Sequence, residues 1–206
     1  MVPAGACACF VFAHGAGAGM AHSSMQSAAL ALHAAGIATL RFQFPFMQRG
    51  SRRPDPPALC QATIRAAVDH AARLMPDLPL IAGGRSFGGR MTSQAQATAP
   101  LPGVLGLAFL AFPLHPAGAP SVERASHLYD VSLPMLFLQG DRDELARLDL
   151  LQEVLAHLGK RATLRLIEGA DHSFKVPARS GRRPADVYQQ LAQHLRDWVD
   201  GSIGSA

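Results

Sequence analysis

The segment Gly83 to Arg90, GGRSFGGR, sets one serine among four glycines. It follows the apolar run LPLIA and precedes MTSQAQATA, so Ser86 is expected at a strand-to-helix turn. Gly84-Arg85-Ser86-Phe87-Gly88 fits the G-x-S-x-G pattern, in which a sharp, strained turn lifts a hydroxyl above a sheet. The neighbours two positions away must be small, because strand and helix approach closely there. Such a turn also aims the hydroxyl at a helix N-terminus, where the dipole favours developing negative charge. The chemistry that suits this arrangement is attack on an acyl carbon.

A serine hydroxyl is a poor nucleophile until a base takes its proton. His172, in GADHSF beyond the last predicted strand, is the candidate base. His22, His33, His70, His127, His157 and His194 read as ordinary histidines, distinguished from His172 by position and not by type. The base in turn needs a carboxylate to fix its tautomer. LQGDRDEL follows the fifth strand and offers Asp141, Asp143 and Glu144; the Gly-x-x-Asp spacing points to Asp143, with Asp141 the fallback. Asp171 reads as a turn residue, because an adjacent side chain rarely reaches round to its neighbour's ring. The order serine, acid, histidine is the one expected for this turn. Two amides should receive an oxyanion: Phe87 N–H, next to the nucleophile, and one from HGAGAG after the first strand, with Ala16 first and Gly17 second. Gly17, Arg85 and Phe46 are the candidate substrate contacts, and Arg85, Arg49 and Arg52 would favour a substrate carrying a carboxylate.

Other chemistry is disfavoured. HGAGAG lacks the third glycine of a dinucleotide loop, since Met20 stands there, and no acidic residue ends the second strand at Phe42 to hold a ribose. No cofactor is expected. Cys7-x-Cys9 with His14 has no second ligand pair, so no metal is expected, and the two thiols are expected to share one strand face as small apolar groups. Three cysteines without paired spacing suggest reduced thiols and a cytoplasmic setting. MVPAGACACFVF has no positive charge ahead of its apolar stretch, so a signal peptide is not expected, and no apolar run is long enough to span a bilayer.

The elements that must position these residues alternate. ACACFVFAHG, IATLRF, LPLIAG, GVLGLAFLAFP, PMLFLQG and ATLRLIE read as six strands. Met25, Ala28, Ala29 and Leu32 fall at helical spacing, as do Leu148, Leu151, Leu155 and Leu158, and Val187, Leu191, Leu195 and Trp198. Further helices are expected from Ala58 to Met75 and from Phe87 to near Pro100, and Pro184 opens the last one. QFPFMQRGSRRPDPP reads as too proline-rich for regular structure. Runs apolar on both faces, Phe10 to Phe12 and Leu107 to Phe112, belong to a parallel sheet covered by helices on both sides. The fold class is therefore α/β, and residues 1–206 read as one domain. Parallel sheets collect ligands at the C-terminal ends of their strands, where His14, Ser86, Asp143 and His172 all fall.

Bulk composition agrees. Of the residues, 49% are apolar and 17% charged, which excludes a disordered chain. The net charge of +4 comes with two local basic runs, RGSRRP and RSGRRP, and no continuous basic face with interleaved aromatics, so nucleic acid is not an expected partner.

HGAGAGM, GGRSFGGRM, FPLHP, LQGDRDEL and GADHSFKV together resemble the small α/β-hydrolases grouped with testis-expressed protein 30 and the hydrolase-like domain of an NSL chromatin-complex subunit, and more distantly the dienelactone hydrolases. The resemblance spans about Val11 to Val199. It implies an α/β-hydrolase core without the usual first two antiparallel strands, with Ser86 as nucleophile, Asp143 as acid and His172 as base. Asp141 departs from the small polar residue expected at its position. About twenty residues, Phe112 to Ser132, separate the fourth and fifth strands, so only a minimal lid is expected, over an open site for a small acyl substrate. The expected function is an esterase-type serine hydrolase acting on an ester, thioester or lactone; the alternative is a non-catalytic binding module that keeps the fold.

Overall fold

The computed structural model describes residues 1–51 and 53–203. In chain order it forms β1 (Ala8–Ala13), α1 (Ser23–Ala34), β2 (Ile37–Phe42), α2 (Pro45–Gln48), α3 (Pro57–Leu74), β3 (Leu80–Arg85), α4 (Phe87–Thr98) and β4 (Val104–Leu110). A 3-10 helical segment (Glu123–Asp130), β5 (Met135–Gly140), α5 (Leu148–Leu158), β6 (Ala162–Ile167) and α6 (Pro184–Ser202) follow, with two short 3-10 turns at Gly159–Arg161 and Ala178–Ser180. The six strands form one sheet in the order β2-β1-β3-β4-β5-β6, and every pairing is parallel.

Sequence pattern explains the layers. Every residue of β1 and β5 is buried, as strands covered on both faces require. Phe10 and Phe12 point to one face, where α1 and α6 bring Met25, Leu32, Leu195 and Trp198. Cys9 and Val11 point to the other, against Ile64 of α3, Met91 of α4 and Leu151 of α5. The helical faces read from spacing are the buried ones for α1 and α6. In α5 the buried set is Leu151, Val154 and Leu158, so Val154 takes the place expected for Leu148 and Leu155. Pro184 opens α6, and Arg183 and Asp186 close a reciprocal cap around its first turn.

Two expectations need correction. The stretch after β2 is not wholly irregular: Pro45 at the first helical position starts α2, and buried Phe44 and Phe46 anchor it. Cys7 and Cys9 do not share a face. Cys7 precedes β1 and packs toward α6, while Cys9 lies in the opposite layer, and both are free thiols.

The order of strands decides where chemistry can occur. β3 is central, hydrogen-bonded to β1 and β4 on its two sides. β6 is an edge strand with two exposed positions. Among the described residues, three non-glycines have positive φ: Ser86 (49°), Ala111 (58°) and Phe174 (58°). All three lie beyond the C-terminal ends of strands, so the backbone strain of the molecule collects at one edge of the sheet. Among the described residues, no helix is long and apolar enough to cross a membrane.

Candidate active site

Ser86 leaves β3 with φ 49° and ψ −118° and serves as the residue before α4. Its amide donates to Leu110 O (2.9 Å), and its carbonyl accepts from Arg90 N (3.1 Å), so strand and helix both hold the turn. A conformation of this kind costs about 1–3 kcal/mol and persists only where its surroundings impose it. The flanking glycines are required by space. A Cβ on Gly84 would lie 2.5 Å from Ala13 O, and one on Gly88 would lie 2.5 Å from His14 O. Both obstacles are backbone atoms of the β1 exit, which cannot swing aside.

His172 and Asp143 converge on this serine from two other strand exits. Ser86 Oγ lies 2.8 Å from His172 Nε2, and His172 Nδ1 lies 2.8 Å from Asp143 Oδ2. Asp143 Oδ2 also accepts from Gln139 Nε2 (2.5 Å), and Oδ1 accepts from Leu145 N (2.8 Å). An ionised carboxylate is an acceptor only, so Nδ1 carries the ring proton and Nε2 is left to accept from the serine hydroxyl. Asp143 is buried, whereas the imidazole is half-buried.

The neighbouring carboxylates have other partners. Asp141 Oδ1 accepts from Gly169 N (2.7 Å), tying the β5 exit to the β6 exit. Asp171 Oδ1 accepts from Ser173 N (2.8 Å) and Lys175 N (2.9 Å), which folds the loop that carries His172. That is the turn role expected of Asp171.

The candidate oxyanion loop lies against the elbow. A Cβ on Gly15 would come within 3.9 Å of Ser86 Cβ and 3.7 Å of Arg85 O. Among the described residues, neither Phe87 N nor Ala16 N bonds another group, so both remain open as donors. Gly17 is exposed on the same loop.

Three supports went unread in the sequence. Gln139 is fully buried; its Oε1 accepts from Phe112 N (2.9 Å) while its Nε2 holds Asp143, so one side chain joins the β4 exit to the acid. His14 is fully buried and neutral: Phe44 N donates to Nε2 (3.0 Å), and Nδ1 donates to Gly15 O (2.8 Å). Burial pushes its pKa below the usual histidine value. His115 repeats the device between the β4–β5 connection and the acid loop, accepting from Arg147 N (3.0 Å) and donating to Pro116 O (2.9 Å).

Other residues fall away from the triad. Phe46 is fully buried among Phe44, Phe87 and His14, so it braces the wall behind the elbow and is not exposed to a substrate. Arg49 is paired with Asp55. Arg52 lies outside the described residues. A second serine–histidine contact, Ser93 Oγ to His127 Nε2 (2.7 Å), lies within α4 packing; Ser93 is fully buried and also contacts Arg90 O (2.9 Å). A cavity of about 890 Å3 along the outer edge of β2, lined by Met20, Leu40 and Leu74, contains none of the triad residues.

The sequence model of the alpha/beta hydrolase domain matches residues 6–200. The chain belongs to this family. Solved structures agree in fold. The dienelactone hydrolase from Anabaena variabilis superposes with a TM-score of 0.75 at 23% identity, covering 98% of this chain and 89% of that one. Est1E from Butyrivibrio proteoclasticus, bound to ferulic acid, gives 0.73 at 16% identity over 97% and 90%. XC6422 from Xanthomonas campestris, described as a serine hydrolase without a lid, gives 0.65 at 22% over 96% and 81%. This α/β-hydrolase connects β4 to β5 through the 3-10 segment Glu123–Asp130 and no longer insertion.

Proposed function

We propose that this α/β-hydrolase is an esterase-type serine hydrolase of a cytoplasmic setting, acting as a single domain and allied by its motifs to the group that includes testis-expressed protein 30. The observation that carries the reading is the continuous path Ser86 Oγ–His172 Nε2 and His172 Nδ1–Asp143 Oδ2, each contact 2.8 Å, assembled from three separate strand exits. Ser86 attacks the acyl carbon as His172 takes the hydroxyl proton. The Phe87 and Ala16 amides receive the oxyanion. His172 then returns the proton to the leaving group, and water releases the acyl-enzyme by the same route. Asp143 stays ionised and holds the imidazole. The names of the dienelactone hydrolase and Est1E relatives support ester and lactone carbonyls as the bond class.

A fluorophosphonate probe tests the reading. Wild type is expected to be labelled stoichiometrically at Ser86, and Ser86→Ala not at all. An unlabelled wild type, correctly folded, overturns the assignment and leaves a non-catalytic binding module in its place.

A further inference from the structure

A cavity of about 590 Å3 lies between the His172 loop, the start of α1 and the start of α6. Arg85 and Ser173 line it, and they are the chain neighbours of Ser86 and His172. Ser86 and His172 do not themselves line the cavity; their chain neighbours do, and consecutive Cα atoms are about 3.8 Å apart.

Its charge is one-sided. Arg85, Lys175 and Arg182 contribute three cations, and among the described residues no carboxylate lines the cavity. Among the described residues, Arg85 and Lys175 enter no ion pair, and Arg182 binds only neutral acceptors, Glu168 O (3.2 Å) and Gln190 Oε1. The nearby acids are committed elsewhere: Asp171 to the Ser173 and Lys175 amides, and Asp186 to Arg183. Ser23 and Ser27 add two hydroxyls from the first turns of α1, while Ser24 Oγ is engaged with His22 Nδ1 (2.8 Å). Tyr188 and Val176 give the cavity apolar walls.

We propose that this cavity binds a phosphate group, and that the substrate is an ester carrying one; the second half rests on the hydrolase reading above. A carboxylate offers one negative charge and two oxygens. A phosphate monoester offers about −1.5 to −2 and three terminal oxygens, which answers three cations and the neighbouring hydroxyls more fully. The space, within the range of ordinary ligand sites, exceeds what a phosphate fills and leaves room for the carbon skeleton that links it to the acyl bond. The phosphate itself does not react. Ser86 takes the acyl group, the phosphorylated alcohol leaves with the proton from His172, and water completes hydrolysis to acid and alcohol.

Binding of inorganic phosphate, followed by titration calorimetry, tests the site without reference to turnover. Wild type and Ser86→Ala are expected to bind alike. Lys175 is exposed and forms no side-chain hydrogen bond among the described residues, so Lys175→Gln is expected to fold and to bind about tenfold more weakly, the order lost with one charge-assisted hydrogen bond. Lys175→Glu loses more, and Lys160→Gln, beside the opposite end of β6, loses nothing. Acetate, with one charge and two oxygens, is expected to bind at least fivefold more weakly than phosphate. For turnover, 1-acetylglycerol 3-phosphate is expected to exceed 1-acetylglycerol at least tenfold in kcat/KM. Phosphate binding that is absent, or indifferent to Lys175→Gln and Arg85→Gln, overturns the site; acetate binding as tightly as phosphate overturns the choice of anion. Phosphate binding without hydrolysis of either ester removes the hydrolase reading and leaves the site standing. Hydrolysis of both at equal rates removes the site from substrate selection and leaves the hydrolase.

Discussion

Replacing Gln139 by methionine keeps the length and volume of the side chain and removes both of its polar contacts. Two losses follow. Phe112 N–H, fully buried at the β4 exit, loses the acceptor 2.9 Å away, and an unpaired buried donor costs about 1–3 kcal/mol. Asp143 Oδ2 loses the donor at 2.5 Å, and a hydrogen bond to a charged group contributes about 1.5–3 kcal/mol. Apolar burial of the methionine offsets part of this. A net loss of about 3 kcal/mol corresponds to a fall in Tm of roughly 6–12 °C for a domain of this size. Activity should fall further than the folded fraction does. The oxygen that loses Gln139 is the one facing His172 Nδ1, so Asp143 gains freedom to turn away; a misalignment costing 1.5–3 kcal/mol in the transition state slows turnover about ten- to a hundredfold. Steady-state hydrolysis of p-nitrophenyl acetate well below the new Tm measures it. Gln139→Glu separates positioning from support. It keeps an acceptor for Phe112 N but sets a second carboxylate against Asp143, so activity should fall further than in Gln139→Met. A Gln139→Met variant that melts earlier yet turns over at the wild-type rate refutes the positioning role. One unchanged in both refutes the contacts themselves.

Asp143→Asn should lower kcat about 10^4-fold while Asp141→Asn, which keeps an acceptor for Gly169 N and loses only the charge, should cost no more than about 1 kcal/mol of stability; parallel rate and melting measurements check both, and a larger rate loss at Asp141 would reverse the assignment. Burial, helped by the nearby Arg90 charge, pushes His127 down from 6.5 to about 4. The unfolded chain therefore binds the proton first, stability is complete above pH 6.5, and up to about 3 kcal/mol is lost as pH falls from 6.5 to 4. Denaturant unfolding across that window should show the slope in wild type and a shallower one in His127→Gln; equal slopes would contradict it.

Much of this arrangement was readable because it depends on local chemistry. Ser86 needs small neighbours at fixed offsets, and the two glycines that provide them are written beside it. Asp143 and His172 each follow an apolar strand run, and parallel topology brings strand exits together. What could not be read depends on contacts between distant segments. Phe44 N meets His14 Nε2 across thirty residues, and nothing in either segment announces it. The same contact explains why Pro45–Gln48 can form a helix and why Phe46 is sealed inside. Gln139 sits in an apolar strand as one polar residue; a buried glutamine must find partners, but the sequence does not say which. Cys7 misled because the strand begins two residues later than expected.

Ser86 directly follows the central strand, but the His172 imidazole hangs from the loop after β6, at the margin of the sheet. Margins open first in local fluctuations, at a fraction of the free energy of global unfolding. When β6 frays, Ser86 keeps its turn, its strand neighbours and its helix, and loses only its partner at 172. Heat inactivation is therefore expected to run ahead of melting, and amide exchange near residues 162–175 measures the reservoir of molecules that are folded but momentarily idle.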